Sequence, residues 1–141
     1  MTEIIPRPLY INKVQPFIGK DLIKVFTGQR RVGKSVLIQE VKALITQQPY
    51  PPNIIYVDKE RYEFDAIKTD AELIDYVKQQ AGGDNNALFI DEVQEIADFE
   101  RALRSLNAEG NFDIYCTGSN AYLLSRELST LLGGRSIEIN V

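Results

Sequence analysis

Five short apolar runs, separated by stretches with helical periodicity, constrain this chain more than any other feature. The runs are residues 22–27 (LIKVFT), 53–58 (NIIYVD), 87–91 (ALFID), 112–117 (FDIYCT) and 136–141 (SIEINV). Strands that alternate with helices pair in parallel, because the crossover from one strand to the next needs the length of a helix. The second and third runs are almost continuously apolar, as a strand must be when helices cover both faces of its sheet.

The intervening stretches read as amphipathic helices. Between Gly33 and Gln48, the residues Val36, Leu37, Val41, Leu44 and Ile45 fall on one face. Pro49, Pro51 and Pro52 then stop the helix. Thr69 and Glu72 have capping-box spacing, with Leu73, Ile74 and Val77 as the buried stripe and Gly82 and Gly83 at the end. Asp98 is placed to cap the next helix, which turns Phe99, Leu103 and Leu106 inward and stops at Gly110. Ser119 or Asn120 can cap a fourth, running towards Gly133 and Gly134. Residues 58–68 (DKERYEFDAIK) are highly charged and read as an exposed connection. A chain of 141 residues suits one domain, 1–141. It finishes on an apolar strand, which leads us to expect a core cut from a longer protein.

The loop after the first run carries the chemistry. Gly28, Gln29, Arg30, Arg31, Val32, Gly33, Lys34 and Ser35 fit G-x-x-x-x-G-K-[ST] at every fixed position, between an expected strand and an expected helix. Glycines at both ends permit a backbone that aims successive N–H groups inward as an anion nest, and the helix dipole adds to it. Together with Val36, these residues are the candidate nucleotide-binding positions of a P-loop NTPase. Lys34 reaches the β- and γ-phosphates, and the Ser35 hydroxyl ligates Mg²⁺. The Arg30 and Arg31 side chains are assigned no chemistry.

The third run ends in two adjacent acids. In this setting Asp91 holds Mg²⁺, commonly through water, and Glu92 polarises the water that attacks the γ-phosphate. Successive side chains of a strand point to opposite sides, which would let one carboxylate face metal and the other water. Glu92 also speaks against small-molecule kinases and switch GTPases, and no Asn-Lys-x-Asp follows the loop to support guanine. At the tip of the fourth run, Ser119 or Asn120 either contacts the γ-phosphate and water or simply caps the helix. Arg135 either supplies charge to a nucleotide, in its own or an adjacent subunit, or is a surface arginine.

Composition narrows the alternatives. Sixteen basic residues against 20 acidic ones leave a net charge of −4, so charge does not support a domain wrapped in nucleic acid. One cysteine, Cys116, excludes an internal disulfide, and the absence of histidine removes the usual zinc sets and histidine acid–base chemistry. Cys116 reads as a core residue. The amino terminus lacks a signal-peptide pattern, and no apolar run approaches the roughly 18 residues of a membrane span. The expected location is cytoplasmic.

GQRRVGKS, LFIDEVQEI, YCTGSNAYLLS and the ELSTLLGGRS segment together resemble the N-terminal domain of a group of bacterial and archaeal AAA-type ATPases, from about Arg7 to the end. In that group a nuclease-like C-terminal domain of unknown function follows the ATPase. The resemblance implies a three-layer α/β sandwich around a five-stranded parallel sheet in the order 5-1-4-3-2. It implies ATP rather than GTP, assembly into oligomers, and a lid and C-terminal domain that this chain lacks. The leading expectation is an ATPase module that hydrolyses MgATP to drive or switch an attached domain. A nucleic-acid motor and an ATP-holding switch with little hydrolysis are the rival readings.

Overall fold

The computed structural model describes residues 12–28, 34–119 and 130–140, and for Lys34, Ser35 and Asn140 the backbone alone. Five strands form one sheet: β1 (Ile23–Thr27), β2 (Asn53–Asp58), β3 (Asn86–Asp91), β4 (Phe112–Gly118) and β5 (Ser136–Asn140). All four pairings are parallel, and the spatial order is β2-β3-β4-β1-β5, the expected order read from the other edge. Three helices are described: α1 (Lys34–Thr46), α2 (Asp70–Gln80) and α3 (Phe99–Glu109). Asn120, the alternative cap for a fourth helix, lies outside the described residues, as does Val141 of the last run. None of the described helices is long and apolar enough to cross a membrane.

Two apolar clusters put a helical layer on each sheet face. On one face Ile23, Val25, Ile55, Val57, Leu88, Ile90, Ile114 and Cys116 meet Leu73 and Val77 of α2 and Phe99, Ala102, Leu103 and Leu106 of α3. On the other, Phe26, Ala87, Phe89, Tyr115 and Ile139 meet Leu37, Ile38, Val41 and Ile45 of α1. The alternation of odd and even positions between the clusters is the period-2 signature of a strand with both faces buried.

On the α1 face one register row is built from large side chains. Tyr56, Phe89 and Tyr115 are direct partners across β2, β3 and β4. Phe89 and Tyr115 stack at 4.9 Å between centroids and 13° between planes, and Tyr56 continues the row at 6.3 Å from Phe89. Lys24 of β1 ends it, with its ammonium 4.8 Å from the Tyr115 centroid. Ring pairs like these contribute about 0.5–1.5 kcal/mol beyond their buried area, so the row favours this register over a slipped one.

Local sequence signals mostly held, with instructive exceptions. The capping box at Thr69 is complete: Glu72 N–H donates to the Thr69 hydroxyl, and the Glu72 carboxylate accepts from the Thr69 N–H. Gly110 ends α3 at φ 81°, the left-handed conformation that glycine adopts without strain. Asp98 does precede α3, but at φ 57° its side chain makes no cap hydrogen bond, so the capping expected of it is absent. Val36, expected on the buried face of α1, is 43% exposed, whereas Ile38 is fully buried. The charged connection after β2 is largely exposed, as expected, but Lys59 organises it from within. Its ammonium donates to the carbonyls of Phe64 at 2.7 Å and Ile67 at 2.6 Å.

Candidate functional site

In a parallel sheet every strand points the same way, so the loops that follow the strands collect at the carboxyl-terminal edge, where α/β proteins bind ligands. Gly28 leaves β1 there at φ 147°, a backbone conformation that a side chain would strain. Residues 29–33, which include Gln29, Arg30, Arg31, Val32 and Gly33, lie outside the described residues. The chain resumes as α1, whose first residues are Lys34 and Ser35. The described backbone on either side of residues 29–33 is thus a strand followed by a helix, the setting that the motif requires. Val36, in the first turn of α1, is open to solvent.

The next register row after the aromatic one supplies the acids. Two positions beyond Tyr56, Phe89 and Tyr115, on the same face, stand Asp58, Asp91 and Thr117. This is the face α1 covers, so the Asp91 carboxylate and the start of α1 share one side of the sheet. Asp91 is 2% exposed, and its Oδ1 accepts a hydrogen bond from the Thr117 hydroxyl. The same hydroxyl oxygen accepts the Glu92 N–H at 2.9 Å. Thr117 thus ties the two acids together from the neighbouring strand.

Glu92 departs from simple strand alternation. β3 ends at Asp91, and Glu92 takes a left-handed conformation at φ 62° and ψ 57° before a 3-10 turn, Val93–Glu95. The separation of the two carboxylates is therefore made by a turn and not by pleating, which corrects the expectation from the sequence. The Glu92 side chain is 4% exposed, and its Oε1 accepts from Gln94 Nε2 at 2.6 Å and from Ser119 Oγ at 3.0 Å. Ser119, read from the sequence as a γ-phosphate or water contact or as a helix cap, here donates its hydroxyl to Glu92, which is neither of those roles.

The electrostatics follow from three carboxylates at one edge. Burial first, and then the charges of Asp91 and Glu92, push the Asp58 carboxyl up, against a hydrogen bond from the Glu60 N–H. Burial first, and then the charges of Asp91 and Asp58, push the Tyr56 phenol up to about 12. Cys116, on the opposite face, is 1% exposed, and burial pushes its thiol up to about 12, which makes it inert core.

The donor set was tested against a divalent cation. Carboxylate and hydroxyl oxygens are the hard donors Mg²⁺ takes, and the crowded negative charge calls for a cation. Among the described residues no three acid, histidine or cysteine groups could hold a metal by themselves. Mg²⁺ keeps several waters and takes only one or two carboxylates beside substrate phosphates. The residues fit the ion.

Arg135 is not brought to this edge. Its carbonyl accepts the Ile23 N–H at 2.8 Å, and its guanidinium donates to Asp21 at 3.0 Å. It stands where β1 and β5 begin, at the opposite edge of the sheet from the acids that follow β3. Sequence reading also passed over three residues. Asp58 ends its run in an acid as Asp91 does, a signal that was present. Thr117 and Gln94 carried only their position in the runs YCTGS and DEVQ.

Comparisons agree with this geometry. A family model described as an AAA domain matches residues 20–141. An uncharacterized protein of Haemophilus influenzae is 35% identical over 98% of this chain and 35% of its own length. The chain spans about one third of the length of the curated relatives it matches. Among solved structures, a DNA polymerase III gamma subunit-related protein of Thermotoga maritima superposes with a TM-score of 0.61 at 10% identity, over 93% of this chain and 45% of that one. The genome packaging NTPase B204 of Sulfolobus turreted icosahedral virus 2, solved with ATP-gammaS, gives 0.54 at 15% identity, over 79% and 72%. At such identities these two show the fold alone. With the family model covering nearly the whole chain, the parallel order β2-β3-β4-β1-β5 and a G-x-x-x-x-G-K-S loop at its carboxyl edge, this chain belongs to the AAA_14 family of AAA domains, P-loop ATPases by class.

Proposed function

We propose that this domain binds MgATP at the carboxyl edge of its sheet and hydrolyses it, and that turnover drives or switches the rest of the protein that carries it. The observation that supports this most is the Asp91–Thr117–Glu92 arrangement, two buried acids tied to one hydroxyl on the face where α1 begins. In this reading Gly28 to Val36 wrap the phosphates through backbone N–H groups, and Lys34 offsets charge on the β- and γ-phosphates. Ser35 and Asp91 would hold Mg²⁺, which supplies charge stabilisation when bound. Glu92 orients the attacking water and takes its proton. The AAA family membership and a nucleotide-bound neighbour of the same fold support ATP as the ligand.

Arg135 lies at the opposite edge of the sheet from its own site, paired with Asp21, which leaves the two other readings, charge supplied to the nucleotide of an adjacent subunit or a surface arginine. The length of the relatives supports action on parts of the protein beyond this domain; a nuclease-like C-terminal domain among them is what the family resemblance implies. An ATP-hydrolysing domain needs a compartment that holds ATP, and we take that to be the cytoplasm.

The test is Glu92→Gln in the full-length protein. The variant should bind MgATP as the wild type does, while its steady-state hydrolysis falls by about 100-fold or more, within the usual range for a general base. Hydrolysis at the wild-type rate would remove Glu92 from that role.

A further inference from the structure

Glu92 is held in a way that its role as an acid alone does not require. Its backbone sits in the left-handed region, which a non-glycine residue occupies only when its surroundings impose it. One carboxylate oxygen, Oε1, accepts two neutral donors from different elements: Gln94 in the turn after β3, and Ser119 just beyond β4. Gln94 is itself incompletely satisfied. With its NH₂ group turned to the carboxylate, its own Oε1 is buried and has no hydrogen-bond partner, the one side-chain atom in that position among the described residues. Turning the amide over would set two acceptor oxygens against each other, so the chemistry fixes this orientation.

A terminal carboxylate torsion is broad and has no strong preference of its own. Two donors on Oε1 remove that freedom. Both donors are neutral, so neither of them cancels the charge of the carboxylate. Leaving a buried amide oxygen unmet is costly, and structures tolerate it chiefly where it serves a function.

We propose that Gln94 is a positioning residue for ATP hydrolysis, which fixes the Glu92 carboxylate in the orientation that receives the attacking water. This rests on the reading of Glu92 as the water-orienting acid. Ser119 shares the task from the adjacent strand. Gln94 takes no part in holding the nucleotide, so its loss separates turnover from binding.

The experiment compares Gln94→Met, Gln94→Glu and Ser119→Ala with the wild type in the full-length protein. Single-turnover hydrolysis is measured with excess enzyme, and MgATP affinity by titration calorimetry. Methionine matches glutamine in length but neither donates nor charges, so Gln94→Met should slow hydrolysis at least tenfold while Kd stays within twofold. Gln94→Glu places like charges together and should be slowed at least as much, and Ser119→Ala less. Added to Glu92→Gln, Gln94→Met should cause no further slowing, because the group it positions is already gone. The inference is overturned if Gln94→Met retains the wild-type rate, or weakens Kd tenfold without slowing bound ATP. It is also overturned if the substitution slows Glu92→Gln by the same factor as the wild type, the mark of a general structural loss. Should one variant fail to fold, the others decide by the same criteria. A slow Glu92→Gln beside a normal Gln94→Met sinks this inference alone, whereas a normal Glu92→Gln sinks the assignment of Glu92 and this one with it.

Discussion

At the amino-terminal edge of the sheet a buried charge meets a matched set of partners, whereas at the carboxyl-terminal edge buried acids gather on one side. Lys24, fully buried, pairs with Asp113, donates to the Lys20 carbonyl at 3.0 Å and lies over the Tyr115 ring. Asp113 also accepts from the Tyr115 hydroxyl at 2.7 Å and the Gly19 N–H at 3.0 Å. Burial pulls the Lys24 ammonium down, and Asp113 opposes that pull. Across the sheet, Asp58, Asp91 and Glu92 share an edge, one of them on strained backbone. The contrast teaches where each edge spends its stability. The amino edge is closed around its own charge, and the carboxyl edge gathers charge that the proposed Mg²⁺ and phosphates would complete.

The largest effect should come from unbalancing the closed edge. Asp113→Ala leaves the Lys24 ammonium buried without its counter-charge and should cost about 3–5 kcal/mol in urea unfolding. Lys24→Met removes the buried charge itself and should cost far less, because Asp113 keeps its Gly19 and Tyr115 donors. Equal losses from the two would break the description of this edge as a charge matched by its surroundings.

At the open edge, Thr117→Val keeps shape but takes the hydroxyl acceptor from the Glu92 N–H and the hydroxyl donor from the Asp91 carboxylate, so a loss of about 1–3 kcal/mol is expected. Thr117→Ser should retain most of the stability. If valine is tolerated as well as serine, the hydroxyl is not what ties the acids together.

The smallest effect carries the opposite sign. Because Asp58 is held above the ordinary carboxylate range when folded, its contribution to stability is complete below the unfolded value of about 3.9 and is lost as pH rises through the folded value. Asp58→Asn should therefore melt slightly higher than the wild type at pH 7, and the difference should vanish towards pH 3. A lower melting temperature at pH 7 would show that the acids at this edge do not repel one another as described.

Much of this was legible in the chain because parallel strands buried on both faces must be apolar runs, and five of them stood out. The G-x-x-x-x-G-K-S motif could be read because its glycines and lysine fall at fixed spacings, although residues 29–33 lie outside the described residues. What stayed hidden depended on three dimensions. Val36, Leu37 and Ile38 are consecutive and all apolar, so periodicity could not choose which two face the sheet. Lys24 within LIKVFT reads as a solvent-facing interruption, and only the β1–β4 register brings it to Asp113 and Tyr115. Thr117 and Gln94 act on acids 26 and two residues away, through a strand pairing and a left-handed turn that no local pattern announces. Asp98 had the right residue type for a cap, but the left-handed backbone there withdrew its side chain from the helix end.

The central claim, an adenine nucleotide held by the loop that begins at Gly28, is tested most directly by melting the protein with MgATP, MgADP and MgGTP beside a Lys34→Ala variant. At a hundred times its dissociation constant a ligand adds about 2.7 kcal/mol, which for a domain near this size is roughly 5–15 °C. The account predicts a shift of that order with the adenine nucleotides, little with MgGTP, and none in Lys34→Ala. A folded protein that shows no shift, or shifts equally with and without Lys34, would contradict it.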